Sequence, residues 1–307
     1  MHNLSKIKLF RILLWVTYPI SLIILYPVVL FKRKNPSSLF FFFDRYAIGG
    51  AQRVHLDILQ SVKDIFKIVY FTRYSPNDKL KHEFYSFPNT KCFDIHVWCD
   101  NLLLRLFTVH FYAFHLNRHP KSVVLSSNST FFYDMLPFLS KHVTKIELLH
   151  NFSYGKNGME FFGLANHHSL DYRMVIDAVT RENIINQYKE YGIDQEFNQR
   201  VKLVEFGVEM GKRIEKKGIP PLKILYAGRG TAQKRIWLLN EIVEHFLTTG
   251  APVEFIFAGS MAGELSAVVK EKCIVYSEIG EKAEMNRLYS ESHAIILTSA
   301  FEGFPLV

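Results

Sequence analysis

Cysteine is scarce in this chain. Only Cys92, Cys99 and Cys273 occur among 307 residues, with neither CxxC nor zinc-type spacing. That argues against a disulfide scaffold or a thiolate metal site and fits reduced thiols or core residues in a cytosolic compartment. Metal-ligand patterns are missing too. The thirteen histidines include the adjacent His167 and His168, but no HExxH and no paired-carboxylate DxD appears. Chemistry without a tightly held protein-bound metal is the expectation. Acidic residues are absent before Asp44, where Lys6, Lys8, Arg11, Lys32, Arg33 and Lys34 are the only charges. Beyond them 31 basic residues face 29 acidic ones, so most of the formal charge of +8 belongs to the N-terminus. A nucleic-acid binder would carry a basic stripe on its folded body, so no nucleic-acid partner is expected.

Charge of either sign is also lacking from Ile12 to Phe31, "ILLWVTYPISLIILYPVVLF", a run of twenty residues. As a helix it would cover roughly 30 Å, the thickness of a bilayer core. Trp15, Tyr18 and Tyr26 suit interfacial positions, whereas Pro19 and Pro27 would kink a helix and keep a re-entrant or interfacial anchor as an alternative to a spanning one. No small-residue cleavage site follows, which disfavours a cleaved signal peptide. A buried core helix is the bland alternative. Basic flanks on both sides leave orientation undecided.

Past this segment, apolar, β-branched or aromatic runs alternate with longer mixed segments. "LFFFF" (39–43), "KIVYF" (67–71), "SVVLS" (122–126), "KIELL" (145–149), "MVIDAV" (174–179) and "VKLVEF" (201–206) read as buried strands of a parallel sheet with helices between them. "GVEMGKRIEKKGIPP" (207–221) breaks the pattern with Gly, Pro and clustered Lys, as an exposed linker does. The alternation then restarts with strands "LKILYAG", "VEFIFAG", "CIVYSEIG" and "AIILTSA" around helices near 235–248, 262–272 and 282–291. The organisation predicted is an anchor over 1–38, an α/β domain over 39–210, a linker over 211–221 and a second, unfinished α/β domain over 222–307.

Ligands of doubly wound sheets collect at the carboxyl ends of the strands, so four loops carry the functional reading. In "DRYAIGGAQRVHLDIL", Gly49 and Gly50 make a tight turn before an amphipathic helix, where backbone N–H groups can approach an anion. In "KIELLHNFSYG", His150 follows a strand and can orient a sugar hydroxyl or a phosphate. In "LYAGRGTAQKRIWLL", Arg229 and Lys234 flank a strand–helix crossover; a planar fork and a point charge together suit a diphosphate. In "ILTSAFEGFPLV", Glu302 lies just beyond a strand and precedes Gly303 and Phe304. The glycine there would let a ligand lie on the main chain. Each loop has a plainer reading as a turn, a packing histidine or a solvated basic segment, and Arg235 beside Lys234 illustrates how ordinary such charge runs are.

In this order the loops resemble those of the GT-B glycosyltransferases, in particular the retaining family 4. "GGAQRV" is similar to the family's Gly-Gly loop, with Gln52 where Glu is common. "ELLHN" is similar to its strand-end histidine, and "VKLVEFGVE" to its pre-linker segment, with Phe206 and Glu209 as departures. "YAGRGTAQKR" resembles the donor-phosphate Arg and Lys motif, and "LTSAFEGFPLV" the start of the EX7E motif. The second glutamate of that motif would fall three residues past Val307, so a C-terminally truncated chain is expected. The resemblance covers the sequence from Leu39 onward and implies two Rossmann-like domains facing a cleft, the second incomplete. It implies His150, Arg229, Lys234 and Glu302 as catalytic residues. Donor binding would fall to Gly49, Gly50, Arg229, Lys234, Gly280, Glu302, Gly303 and Phe304, with Ser277–Gly280 facing the donor base through backbone contacts. It implies no cofactor: the nucleotide diphosphate sugar is the substrate, and a glycan or lipid-linked acceptor receives the sugar at the cytoplasmic membrane face. The alternatives are an inactive, membrane-tethered GT-B-like binding or scaffold protein and, less favoured, a sugar-nucleotide epimerase.

Overall fold

The computed structural model describes residues 2–31, 39–153, 158–205, 207, 221–300 and 302. The chain divides into two compact units, Met1–Phe206 and Gly207–Val307. The predicted linker and the boundary at 210 fall almost wholly outside the described residues.

Unit 1 contains a seven-stranded sheet in the order β3-β2-β1-β4-β5-β6-β7, parallel throughout. Its strands are β1 (Leu39–Phe43), β2 (Lys67–Phe71), β3 (Thr90–Asp94), β4 (Val123–Ser127), β5 (Thr144–Leu149), β6 (Tyr172–Val175) and β7 (Val201–Leu203). Its helices are α1 (His2–Phe31), α2 (Gly50–Ser61), α3 (Lys81–Tyr85), α4 (His96–Asp100), α5 (Leu102–Asn117), α6 (Thr130–Met135), α7 (Met159–Ala165) and α8 (Ala178–Glu190). Central strands buried on both faces need continuous apolar runs, and Phe40–Phe43 and Ile68–Phe71 supply them. The core joins Phe40, Phe42 and Tyr70 of the sheet to Val109, Ala113 and Leu116 of α5, with Phe42 stacked on Tyr70 at 4.9 Å between ring centroids. Strand order reverses between β1 and β4, and there Phe43 is in register with Ser127. This is the crevice where open α/β sheets place ligands.

Helix α1 lies along α5 with the two running parallel. Arg105 sits over the Phe10 ring at 5.8 Å, His110 Nδ1 bonds Ser21 Oγ at 2.7 Å, and Arg118 donates to the carbonyls of Val29 and Leu30. Leu14, Ser21 and Val29 are buried on that side.

Unit 2 holds a four-stranded parallel sheet in the order β10-β9-β8-β11. Its elements are β8 (Leu222–Ala227), α9 (Ile236–Thr249), β9 (Val253–Ala258), α10 (Ala267–Lys272), β10 (Ile274–Tyr276), α11 (Lys282–Glu291) and β11 (Ala294–Ile295). Tyr226, Phe255 and Phe257 pack with Leu239 and Val243 of α9 and Val269 of α10.

Several boundaries differ from the sequence reading. The strand expected over 174–179 ends at Val175, because Asp177 accepts from the Thr180 N–H at 2.7 Å and caps α8. The helix expected near 262–272 begins only at Ala267, where the Ser266 hydroxyl caps it by accepting from the Val269 N–H at 3.3 Å. The strand expected over 201–206 is β-bonded only to Leu203. "TKCFD" carries an unforeseen edge strand, β3, whose alternating half-exposed pattern lacks an apolar run. β11 is ladder-bonded for two residues only, and the chain after it turns to a different set of partners described below.

Candidate active site

In unit 1, β1, β4 and β5 end flush at the β1/β4 reversal. Immediately past β5, His150 Nε2 meets Ser127 Oγ, at the end of β4, at 2.7 Å. The same nitrogen lies 3.3 Å from Nε2 of His55 on α2. His55 is fully buried and stacks flat on Phe43, with ring centroids 3.9 Å apart and planes 1° from parallel. Burial holds the His55 imidazole well below its ordinary pKa, reinforced by His150, and burial pushes His150 down to about 4. Both rings are therefore neutral near pH 7. Nδ1 of His55 has no hydrogen-bond partner among the described residues, so the arrangement that leaves no buried N–H unpaired puts its proton on Nε2, donating to His150. The proton of His150 then rides on Nδ1. A neutral donor of this kind suits a hydroxyl better than it suits a phosphate.

The Gly-Gly turn works differently from a bare anion cradle. Gly49 is extended (φ 170°) and α2 starts at Gly50; a β-carbon on Gly49 would fall 2.6 Å from Gln52 Oε1. Gln52 in turn donates from Nε2 to Asp44 Oδ1 at 3.2 Å, tying α2 to the residue that follows β1.

In unit 2, the loops after β8 and β9 meet backbone to backbone. Gly259 adopts φ 134°, and a β-carbon there would collide with the Gly228 carbonyl. Gly230 N donates to Ser260 O at 2.8 Å, and the floor so formed is main chain. Arg229 extends from it, exposed to solvent. Lys234 closes a short turn, and Arg235 follows in the left-handed region (φ 49°) before α9 begins. Arg235 Nε donates to the Thr298 carbonyl at 2.5 Å and its Nη2 to the Ser299 carbonyl at 3.1 Å. Thr298 Oγ1 donates to the Lys234 carbonyl at 2.7 Å and Ala300 N to the Gln233 carbonyl at 2.8 Å. Four bonds thus lace the segment after β11 to the turn before α9, and their outcome is an ion pair between Lys234 Nζ and Glu302 Oε1. Beneath lies Tyr226, whose buried hydroxyl lacks a partner among the described residues. Its pKa is raised to about 12, first by burial and then by the Glu302 charge.

Of the residues singled out in the sequence, Lys234 and Glu302 are brought into contact, and Arg229 shares their loop. His150 is joined by Ser127 and His55, which the sequence reading passed over. Their only sequence signal is position: a hydroxyl at a strand end and a histidine one turn into the helix after the Gly-Gly loop. Gly280 lies in the loop between β10 and α11, while Gly303 and Phe304 fall outside the described residues. Among the described residues no cluster of metal-ligating side chains forms. Arg235, dismissed in the sequence as part of a charge run, is the side chain that organises the unit 2 site.

No known protein-family model matches the sequence, and neither does any curated protein. Solved structures of the same fold are glycosyltransferases of the GT-B type. The lipopolysaccharide outer core galactosyltransferase WaaB in its apo form aligns at 20% identity and a TM-score of 0.61, over 87% of this chain and 76% of that one. The pneumococcal O-GlcNAc transferase GtfA in complex with UDP and GlcNAc aligns at 16% identity and a TM-score of 0.54, over 66% of this chain and 42% of that one. An α-glucosyltransferase in complex with UDP-glucose and abasic DNA aligns at 12% identity and a TM-score of 0.52, over 83% and 70%. The chain has the GT-B fold, with an apolar helix added at its N-terminus.

Proposed function

We propose that this protein is a nucleotide-sugar-dependent hexosyltransferase of the retaining family 4, moving a sugar from a nucleotide diphosphate donor to a glycan or lipid-linked acceptor at the cytoplasmic membrane face. The observation that carries the proposal is the laced loop of unit 2, which sets Lys234 and Glu302 against each other above a floor of glycine backbone. As the glycosidic bond breaks, negative charge grows on the leaving diphosphate, and Arg229 and Lys234 stabilise it more than they stabilise the ground state. In the unliganded protein Glu302 neutralises the Lys234 ammonium. A diphosphate arriving at Lys234 replaces that partner and frees Glu302 for the hydroxyls of the donor sugar. His150, neutral and oriented by Ser127 and His55, suits a sugar hydroxyl of donor or acceptor. No enzymic nucleophile is assigned, because front-face attack by the acceptor requires none. A resident metal is not invoked either, since two cationic side chains already meet the diphosphate.

Calorimetry with UDP, GDP and other nucleotide sugars, followed by the anomeric configuration of any product by proton NMR, tests this. Micromolar binding of one donor with chelator-resistant, retained-configuration transfer is expected. Tight binding without turnover on any acceptor would favour the inactive binding-protein reading, and no binding would remove both.

A further inference from the structure

From Ile12 onward helix α1 carries no charge on any side, yet the protein covers only one side of it. The side spaced three and four residues apart through Phe10, Leu14, Tyr18, Ser21 and Val29 faces α5 and the loop at Phe138. The opposite side shows Ile12, Val16, Ile20, Ile23 and Phe31 at 50–91% exposure, with no charge between Ile12 and Phe31. Helices with this pattern are buried on both sides, so a second apolar phase must cover the outer one. Contacts with α5 run from Phe10 to Leu30, which is about 30 Å of helix. α5 itself is a sheet-covering helix whose inner side supplies Val109, Ala113 and Leu116 to the core, and its Arg105 is ion-paired to Asp134 at 2.6 Å. Were α1 to cross a bilayer while docked this way, the sheet of unit 1 would have to enter the hydrocarbon with it.

We infer that α1 lies in the plane of an anionic membrane surface, docked on α5 and with its outer side immersed, and does not span the bilayer. Two further observations name the occupant. Every charge near the ends of the helix is basic: Lys6 and Lys8 lie in its first turns and Lys32, Arg33 and Lys34 follow it in the sequence, which complements anionic headgroups, while Arg11 is turned toward Asp134 of the protein. Where Arg105 meets Phe10, the same end of unit 1 exposes Trp98, Leu102 and Leu103 at 56–70%, extending the apolar surface beyond α1. The inference rests on the membrane part of the proposed function and is independent of its chemistry.

The test is depth-dependent quenching of tryptophan by brominated lipids in phosphatidylglycerol and phosphatidylcholine vesicles. In the full chain, Trp15, Trp98 and Trp237 are replaced by Phe, and single tryptophans are then introduced on the outer side as I12W, I20W and F31W or kept at Trp98. Equal, shallow depths at all four positions, with at least tenfold tighter binding to the phosphatidylglycerol vesicles, are expected. L103E should weaken vesicle binding several-fold without changing the melting temperature. A depth maximum at I20W between shallow ends would mean a helix that undocks and spans, and would overturn the in-plane mode alone. Absence of quenching in either vesicle would overturn the membrane as occupant, with sedimentation then showing whether a second copy covers the helix. Donor binding measured on the same variants reports separately on the glycosyltransferase reading.

Discussion

Arg235 reaches across unit 2 to donate its Nε–H to the Thr298 carbonyl at 2.5 Å, from a backbone held at φ 49°. A side chain in the left-handed region is disfavoured by sterics, and here the guanidinium compensates by anchoring two carbonyls of the segment that leads to Glu302. Replacing Arg235 separates the two effects. R235G suits the backbone, so the melting temperature should change by no more than about 2 °C, while the loss of two charge-assisted bonds should weaken nucleotide-diphosphate binding about tenfold. Thermal denaturation and UDP titration on one sample check both; equal losses in both would make Arg235 merely structural.

Lys234 is the point charge at the proposed diphosphate position. K234A should lower kcat/KM for donor transfer by roughly 100-fold or more, the usual scale for removing a preoriented charge from a developing anion. E302Q should leave UDP affinity unchanged or tighter while lowering sugar transfer, because the diphosphate no longer has to displace a carboxylate from Lys234. Steady-state kinetics beside UDP binding distinguishes the two variants.

Acid should loosen unit 1 at its histidines. Burial lowers the pKa of His150 and of His110 to about 4 and holds that of His55 well below its ordinary value, whereas the unfolded chain takes up these protons near pH ~6.5. Between those values the unfolded state binds more protons, so stability present above about pH 6.5 is lost as pH falls toward 4. Melting temperature should decline over that window, and H55Q or H110Q should flatten the slope even if each lowers stability at pH 7.

Arg173 and Glu147 form an ion pair at 2.5 Å with both side chains fully buried, and Tyr133 donates to the same carboxylate. R173M leaves a buried carboxylate without its cation and should cost about 3–5 kcal/mol. E147L combined with R173M should recover part of that loss, because two apolar side chains need no desolvation. Urea unfolding of the single and double variants gives the coupling directly.

The sequence by itself determined the α/β class, because runs such as Phe40–Phe43, Ile68–Phe71 and Phe255–Ala258 can only be satisfied inside a sheet covered on both faces. It also marked Lys234 and Glu302, whose positions past strand ends place them at the carboxyl edge of the unit 2 sheet. It could not mark β3, since an edge strand needs no apolar run, nor the cap at Asp177 that cuts β6 short. Only the tertiary structure decided which neighbours these residues have. Arg235 and Thr298 are separated by sixty-three positions in the chain, and His55 and His150 by ninety-five. Parallel sheet order brings the ends of distant strands side by side, and contacts made across that order leave no local pattern in the sequence. The same holds for α1: its charge-free length was plain to read, but the α5 face that covers one side of it exists only once the sheet has formed.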